Sequence, residues 1–368
     1  MWKYDEKIYN FSEEHICSLM QNISFPNEVR VSKKIIVMVV PEHNAMSGGI
    51  FSFFSIVEQM RRLKRHHGCE IIMMTRPTGT GVTYYRNTNF RNSENVYRFS
   101  QITLCKDAEE VYLHIPEYAT KYFYNDLTGE ECEYLLNPKR KIYINIMNQN
   151  IKLMPDRNSF APLRIISHDI TQSVAHHAYF SQEMTDRYCL PTLLLPAYTD
   201  LSAYAPSHFT EKEKIIIYSP DKAPHKRQIL SKISRAFPDF KLIEIRDITF
   251  DAFMDLATRC MFSITFGEGF DGYLAQPIHQ GGIGFSIYNR DFFPSPDYLR
   301  YKNIFPDKDS FIENICDRIY EFSHSEKLYV DTNKELVDRY DDLYSKDEYI
   351  EKIKRLTLRQ FELMPSRG

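Results

Sequence analysis

The stretch ITFGEGFDGYLAQPIHQGGIGFSIYN, residues 264–289, packs a strand end, a glycine turn, a short helix and a second strand into one span. The β-type run from Met261 to Phe266 empties into Gly267-Glu268-Gly269-Phe270-Asp271-Gly272, and Gly281-Gly282 leads into another apolar run. Strand, turn, helix, strand is the repeating unit of a parallel α/β sheet. Ligands of such sheets lie at the carboxyl ends of strands, which is where Glu268 stands between two glycines. Glu268 can point into a cleft there, while the N–H groups of Gly269 to Gly272 face a ligand. A carboxylate in that place can equally serve as a helix N-cap, a purely structural duty.

Outward from this stretch the same alternation recurs. KIIIYSP (214–220) and FKLIEIR (240–246) read as strands, and FDAFMDLATRC reads as a helix. Before them, TDLSAYAPSHFTEKEK is polar and proline-bearing, as an interdomain linker is. The first half starts with KKIIVMVVPE (33–42), a continuous apolar run of the kind that a strand buried on both faces requires. IFSFFSIVEQMRRLKRH follows it, with apolar residues at 50, 53, 54, 57, 60 and 63 making one face of a helix. Further strands are expected at 69–76, 109–117, 140–150, 163–173 and 190–198, and SKDEYIEKIKRLTLRQFEL as a closing amphipathic helix. Two Rossmann-like halves with a cleft between them are the simplest architecture for this pattern.

Composition narrows the function classes. A chain of 368 residues has room for two domains, and a net charge of -3 gives no global field for a nucleic acid. The seven cysteines (17, 69, 105, 132, 189, 260 and 316) form no CxxC pair and are odd in number, which suits reduced thiols and a cytoplasmic protein. The first residues, MWKYDEKIYNFSEEHICSLM, carry acids where a secretion signal has a basic run, and no stretch approaches the ~20 apolar residues that cross a bilayer.

Two more clusters are candidates for ligand chemistry. Ser47-Gly48-Gly49 lies between a buried strand and a helix start, as a phosphate cradle or as a tight turn. SPDKAPHKRQIL crowds Lys222, His225, Lys226 and Arg227 at a strand end and helix start, where cations oppose the helix dipole unless an anion compensates. Neither a GxGxxG fingerprint nor a P-loop is present, and the pairs His66-His67 and His176-His177 lack the spacing of a zinc site, so no metal is expected. RRLKRHH offers a local basic patch for anionic lipid, or simply cations suited to a helix C-terminus.

Taken in order, these segments resemble retaining GT-B glycosyltransferases of the family-4 type. Glu268-Gly269-Phe270, then Gln276-Pro277 and Gly281-Gly282, resemble that family's E-x7-E segment. PAYTDLSAY resembles the segment closing its first domain, and DITQSVAHHAYFSQEM the helix before that segment. INIMNQN and FGEGFDGY are similar to members that assemble bacterial polysaccharides. The resemblance implies an α/β GT-B fold of two Rossmann-like domains facing a central cleft. It divides the chain into a helical extension (1–32), an acceptor domain (33–200), a linker (201–213), a donor domain (214–340) and a last helix (341–368) crossing back to the first domain.

By the same resemblance the protein moves a sugar from a nucleotide-diphosphate donor, its co-substrate, to a glycan or lipid-linked oligosaccharide in O-antigen or capsule synthesis. It would work without a metal or other cofactor, in the cytoplasm or peripherally on the inner membrane. Glu268, Lys226 and Arg227 would be catalytic. Gly48, Gly49, Lys222, Gly269, Phe270, Asp271, Gly272 and Gln276 would bind the donor, and His114 and Asn148 would touch acceptor or sugar. Gln276 stands where the family has its second glutamate; an amide oxygen still accepts a hydrogen bond, without charge assistance. That departure keeps two rivals open: a catalytically degenerate partner subunit that binds glycan, and a sugar-nucleotide epimerase of the same fold.

Overall fold

Strand β1 (Lys34–Pro41) shows how the first sheet is built. Ile35, Val37 and Val39 enter one apolar cluster and Ile36, Met38 and Val40 another, so alternate residues bury on opposite faces. A strand apolar on both sides sits inside a sheet covered on both sides, hence the unbroken hydrophobic run. The computed structural model describes residues 24–41, 48–76, 84–85, 94–246 and 248–366. The lead-in before residue 24, with the helical extension expected there, and Ser47 of the first glycine turn lie outside the described residues.

Two compact units make up the chain: Thr199–Ser345, and the described residues up to Tyr198 together with those from Lys346. In the unit that holds β1, this strand is joined by β2 (Glu70–Arg76), β3 (Tyr84–Tyr85), β4 (Asn95–Arg98), β5 (Glu110–Pro116), β6 (Lys141–Asn148), β7 (Ile170–Val174) and β8 (Thr192–Leu194). Their order is β3-β4-β2-β1-β5-β6-β7-β8, parallel except at the β3–β4 pair. In the Thr199–Ser345 unit β9 (Glu213–Tyr218), β10 (Lys241–Glu244), β11 (Cys260–Ile264), β12 (Ile283–Ile287) and β13 (Ile304–Phe305) form a parallel sheet in the order β10-β9-β11-β12-β13.

Among the described residues, helices of eight residues or more are α1 (Gly48–Arg62), α2 (Lys226–Ala236), α3 (Phe250–Arg259), α4 (Gly272–His279), α5 (Lys308–His324), α6 (Glu326–Asp341) and α7 (Lys346–Thr357). α1 covers one face of the first sheet through Phe53, Phe54, Val57 and Met60. α7 joins the same cluster with Tyr349, Ile353 and Leu356, and the Tyr349 hydroxyl lies 3.0 Å from Ser55 Oγ on α1. In the other unit Phe311, Ile315, Ile319 and Phe322 of α5 pack with Phe262 and Phe285 of the sheet.

Two expectations shift locally. Residues 163–173 are not one strand: Leu163–Ile166 coil into a short helix and the strand begins at Ile170. The segment likened to a helix, 169–184, is mostly β7 and a 3-10 turn, with helix only from Gln182. Residues 170–174 pair one by one with Ile144 to Asn148 of β6, a parallel ladder that a helix does not form.

Candidate functional site

Both sheets carry a point where the strand order reverses, and at such points the carboxyl ends of neighbouring strands diverge and leave a crevice. In the Thr199–Ser345 unit the point is between β9 and β11, with β10 on the far side of β9. The loops leaving these two strands are the basic loop and the glycine turn. They touch: a Cβ on Gly267 would come 2.6 Å from Asp221 Oδ2. Gly269 has φ +91°, and a Cβ there would stand 2.8 Å from the Ile287 carbonyl and 2.9 Å from Ser286 Oγ. The turn is thereby pressed onto the end of β12, which only glycine permits.

Two carboxylates share this turn, and the structure separates their duties. Asp271 is the N-cap of α4: Oδ1 accepts the N–H of Tyr273 at 2.9 Å and of Leu274 at 3.1 Å, and Oδ2 accepts the Thr265 hydroxyl at 2.5 Å. Although the residue as a whole is half-buried, its carboxyl group is enclosed by the turn, and this burial pushes it up to about 6 against the pull of the Thr265 hydrogen bond. Glu268 is half-buried and is not the cap of α4, so the N-cap duty weighed for it belongs to Asp271. Asp271, expected at the donor, is committed to the helix.

Phe270 also differs from expectation. It is 8% exposed, its ring 5.2 Å from those of Phe293 and Tyr298 and stacked on Tyr340 at 6.0 Å and Tyr344 at 5.8 Å. A phenyl ring so enclosed leaves only its backbone to a ligand. Gly272 opens α4 with the Gln276 side chain folded back over it, and Gln276 Oε1 is buried with no hydrogen-bond partner among the described residues.

The basic loop divides as well. Lys226, the first residue of α2, donates from Nζ to the Ser219 carbonyl at 2.7 Å, the Asp221 carbonyl at 3.2 Å and Glu244 Oε1 at 2.9 Å. It lies over the rings of Tyr218 and Phe266 at 5.0 and 5.6 Å. It is thereby engaged inside the unit, where the catalytic duty expected of it would need it free: its partner, Glu244, comes from the neighbouring strand and pairs with Arg246 as well. Lys222 and Arg227 are exposed and line an open groove of about 910 Å³ with Asp221, Leu230 and Arg246.

A second pocket, about 440 Å³, opens between the glycine turn and the end of β12, lined by His225, Gly267, Gly269, Ser286, Asn289 and Arg290 among others. The polar run Tyr288-Asn289-Arg290, directly after a strand, forms its far wall and is absent from the site expected on sequence. Burial, then Lys308, lowers the His225 imidazole below its ordinary value, keeping it neutral at neutral pH.

In the unit built on β1 the reversal lies between β1 and β5. Gly48 and Gly49 open α1, and a Cβ on Gly49 would come 2.6 Å from Gln149 Oε1. Glu117, just past β5, is 3% exposed, accepts the Asn150 N–H at 3.2 Å, and is pushed up to about 7 by burial. Asn148, at the end of β6, is 1% exposed with neither amide atom bonded among the described residues. His114 has no exposed surface, packs 4.3 Å from the Tyr112 ring, and is lowered to about 3 by burial. It sits mid-strand beside Asn145, out of reach of a sugar, which corrects the contact expected of it.

Among the described residues no group of three or more His, Cys, Asp or Glu side chains is arranged to hold a metal ion. No helix there is long and apolar enough to cross a membrane. The RRLKRHH patch is largely neutralised locally, Arg61 pairing with Glu94, Arg62 with Glu58 and Lys64 with Glu70.

No known family model matches the chain, and no curated protein does. Solved structures do. A glycosyltransferase from Rickettsia africae aligns at TM-score 0.54 and 10% identity over 89% of this chain and 99% of its own. Anabaena HepE, in complex with UDP and glucose, aligns at 0.53 and 10% over 88% and 98%. A mutant of Staphylococcus aureus TarM, in complex with Fondaparinux, alpha-GlcNAc-glycerol and UDP, aligns at 0.52 and 10% over 88% and 99%. At such identities the likeness shows the fold, which is the GT-B fold of glycosyltransferases.

Proposed function

We propose that the protein transfers a glycosyl group from a nucleotide-diphosphate sugar to a hydroxyl of a glycan or lipid-linked glycan. The observation that carries this reading is the open pocket at the carboxyl ends of β11 and β12, beside the β9/β11 strand reversal and lined by Gly267 and Gly269 of the turn that holds Glu268, on a GT-B fold. HepE, with UDP and glucose bound, lends support. In this reading the Thr199–Ser345 unit carries the donor and the unit built on β1 the acceptor.

The chemistry breaks the bond between the anomeric carbon and the diphosphate oxygen, whose electron pair leaves with the diphosphate. The acceptor oxygen bonds to that carbon, and its proton ends on the departing phosphate. The leaving group is stabilised by the N–H groups of the turn and by nearby cations, and in this reading the step calls for no metal. Glu268 holds donor-sugar hydroxyls and steadies the positive charge growing at the anomeric carbon. Retention of configuration, and a place in surface-polysaccharide synthesis at the cytoplasmic face of a membrane, follow from the family-4 resemblance.

Glu268→Gln tests the reading, since it keeps shape and hydrogen bonding and removes the charge. Single-turnover transfer from the best donor of a nucleotide-sugar panel is expected to fall by about 100-fold or more, the size of effect when one electrostatic transition-state contact is lost, while donor affinity changes little. Wild-type turnover in the variant would sink it. Gln276 in place of a glutamate favours one second reading, a non-catalytic partner subunit, in which the wild-type protein binds a nucleotide sugar and turns none over.

A further inference from the structure

We infer that Arg290, at the exit of β12, with His225 in the lining of the same pocket, is the side-chain seat for the donor's diphosphate, a duty for which Lys226, held by Glu244, is less suited. The inference rests on the donor reading above and names the groups that would carry it.

Four observations lead there. The pocket between the glycine turn and β12 has no carboxylate in its lining; Arg290 and His225 are its basic side chains. The Arg290 guanidinium is exposed at its mouth, with no ion pair or hydrogen bond to any described residue. The N–H groups of Gly267 and Gly269, on the facing wall, likewise donate to no described residue. Lastly, the alternative cations are less suited: Lys226 is held by Glu244 and two carbonyls, and Lys222 and Arg227 share their groove with the Asp221 carboxylate.

An anion entering the pocket gains the backbone donors of the glycine turn and a fork of guanidinium donors from Arg290. Arginine matches paired phosphate oxygens bidentately, and this geometry is not reproduced by lysine. A neutral imidazole at His225 supplies one further N–H donor without adding a charge. Unpaired N–H groups in a turn with a glycine at positive φ form a concavity for an anionic oxygen. The two walls come from loops after β11 and β12, neighbours in the sheet, so the sheet itself sets the gap.

The test is calorimetric binding of UDP, GDP and ADP, each beside its nucleoside, to wild type, Arg290→Ala, Arg290→Lys, Arg227→Ala and, as a distant charge control, Lys214→Ala. For the tightest diphosphate, Arg290→Ala is expected to lose about 10- to 100-fold in affinity, the range for charge-assisted hydrogen bonds. Nucleoside binding and melting temperature should stay at wild type. Arg290→Lys should recover only part of the loss, and Lys214→Ala should bind every diphosphate as wild type does. Unchanged diphosphate binding in Arg290→Ala, or an equal loss for the nucleoside, overturns the assignment while the donor reading stands. A loss found in Arg227→Ala alone moves the seat to the neighbouring groove and overturns it too. A wild-type protein that binds none of the three diphosphates overturns the donor reading, and this inference with it.

Discussion

The two strand-reversal crevices follow one topological rule and end in opposite electrostatic states. At the β1/β5 crevice Glu117 is nearly removed from solvent, as are Asn148 at the end of β6 and, deeper within β5, His114. Burial pushes the Glu117 carboxyl up and the His114 imidazole down, each toward its neutral form. Beside the β9/β11 crevice a pocket stays open at the ends of β11 and β12, Glu268 is half-buried, and Arg290 and Lys222 are exposed. The contrast teaches that topology supplies a crevice but burial decides what it can hold. A closed crevice keeps neutral dipoles, because an isolated ion is too costly to desolvate, whereas an open one keeps charges in reach of an ionic ligand.

The comparison is broken hardest through Phe270, which backs the open crevice with a closed aromatic cluster. Phe270→Ala is expected to lower the stability of the Thr199–Ser345 unit by roughly 3–5 kcal/mol, as large-to-small core changes do. Calorimetry resolves it, and a shift below ~1 kcal/mol would mean that the ring is not the support its contacts describe.

Next in size is the closed crevice. The folded Glu117 value of about 7 lies above its ordinary 4.5, so the native state binds the proton more tightly. Its contribution is therefore complete below about pH 4.5 and lost as pH rises through about 7. It amounts to roughly 3–4 kcal/mol at most, since each pH unit between the two values is worth ~1.4 kcal/mol. His114 acts the other way, its contribution lost as pH falls below 6.5 toward about 3. Subtracting the melting curves of Glu117→Gln from those of wild type at pH 5 and 8 cancels His114. The variant should gain on wild type at pH 8, and parallel curves would show that Glu117 is solvated.

The smallest effect sharpens the division of labour in the glycine turn. Asp271→Ala removes the cap of α4 and should cost about 1 kcal/mol, whereas Glu268→Gln should leave the melting temperature unchanged. If Glu268→Gln destabilises and Asp271→Ala does not, the two acids have been assigned the wrong way round.

Much of this is legible in the chain. Strand after strand appears as an apolar run, because a sheet covered on both faces demands apolar residues at consecutive positions, and α1 shows its buried face at 50, 53, 54, 57 and 60. The glycine turn is visible because Gly269 needs its positive φ. Segment 163–173 is less so: its apolar pairs fit a helix or a strand equally, and contact with β6 selects a strand only from Ile170. The pocket wall from Ser286 to Arg290 is not legible, because a polar run after a strand has no local signature of its own.

What the sequence by itself determined was the alternation of strands and helices, the positions of the turns, and that a carboxylate and several cations stand at strand ends. Backbone preference and hydrophobic period act over a few residues, and those decisions are made within that range. Only the tertiary structure decided which of the two acids caps α4, and that Lys226 is answered by Glu244 from β10. It also turned Phe270 inward onto Tyr340 and Tyr344 and brought Arg290 and His225 into the lining of one pocket. Each of these depends on partners brought together from distant parts of the chain, and the energy of a charge or a ring is set by what surrounds it in space.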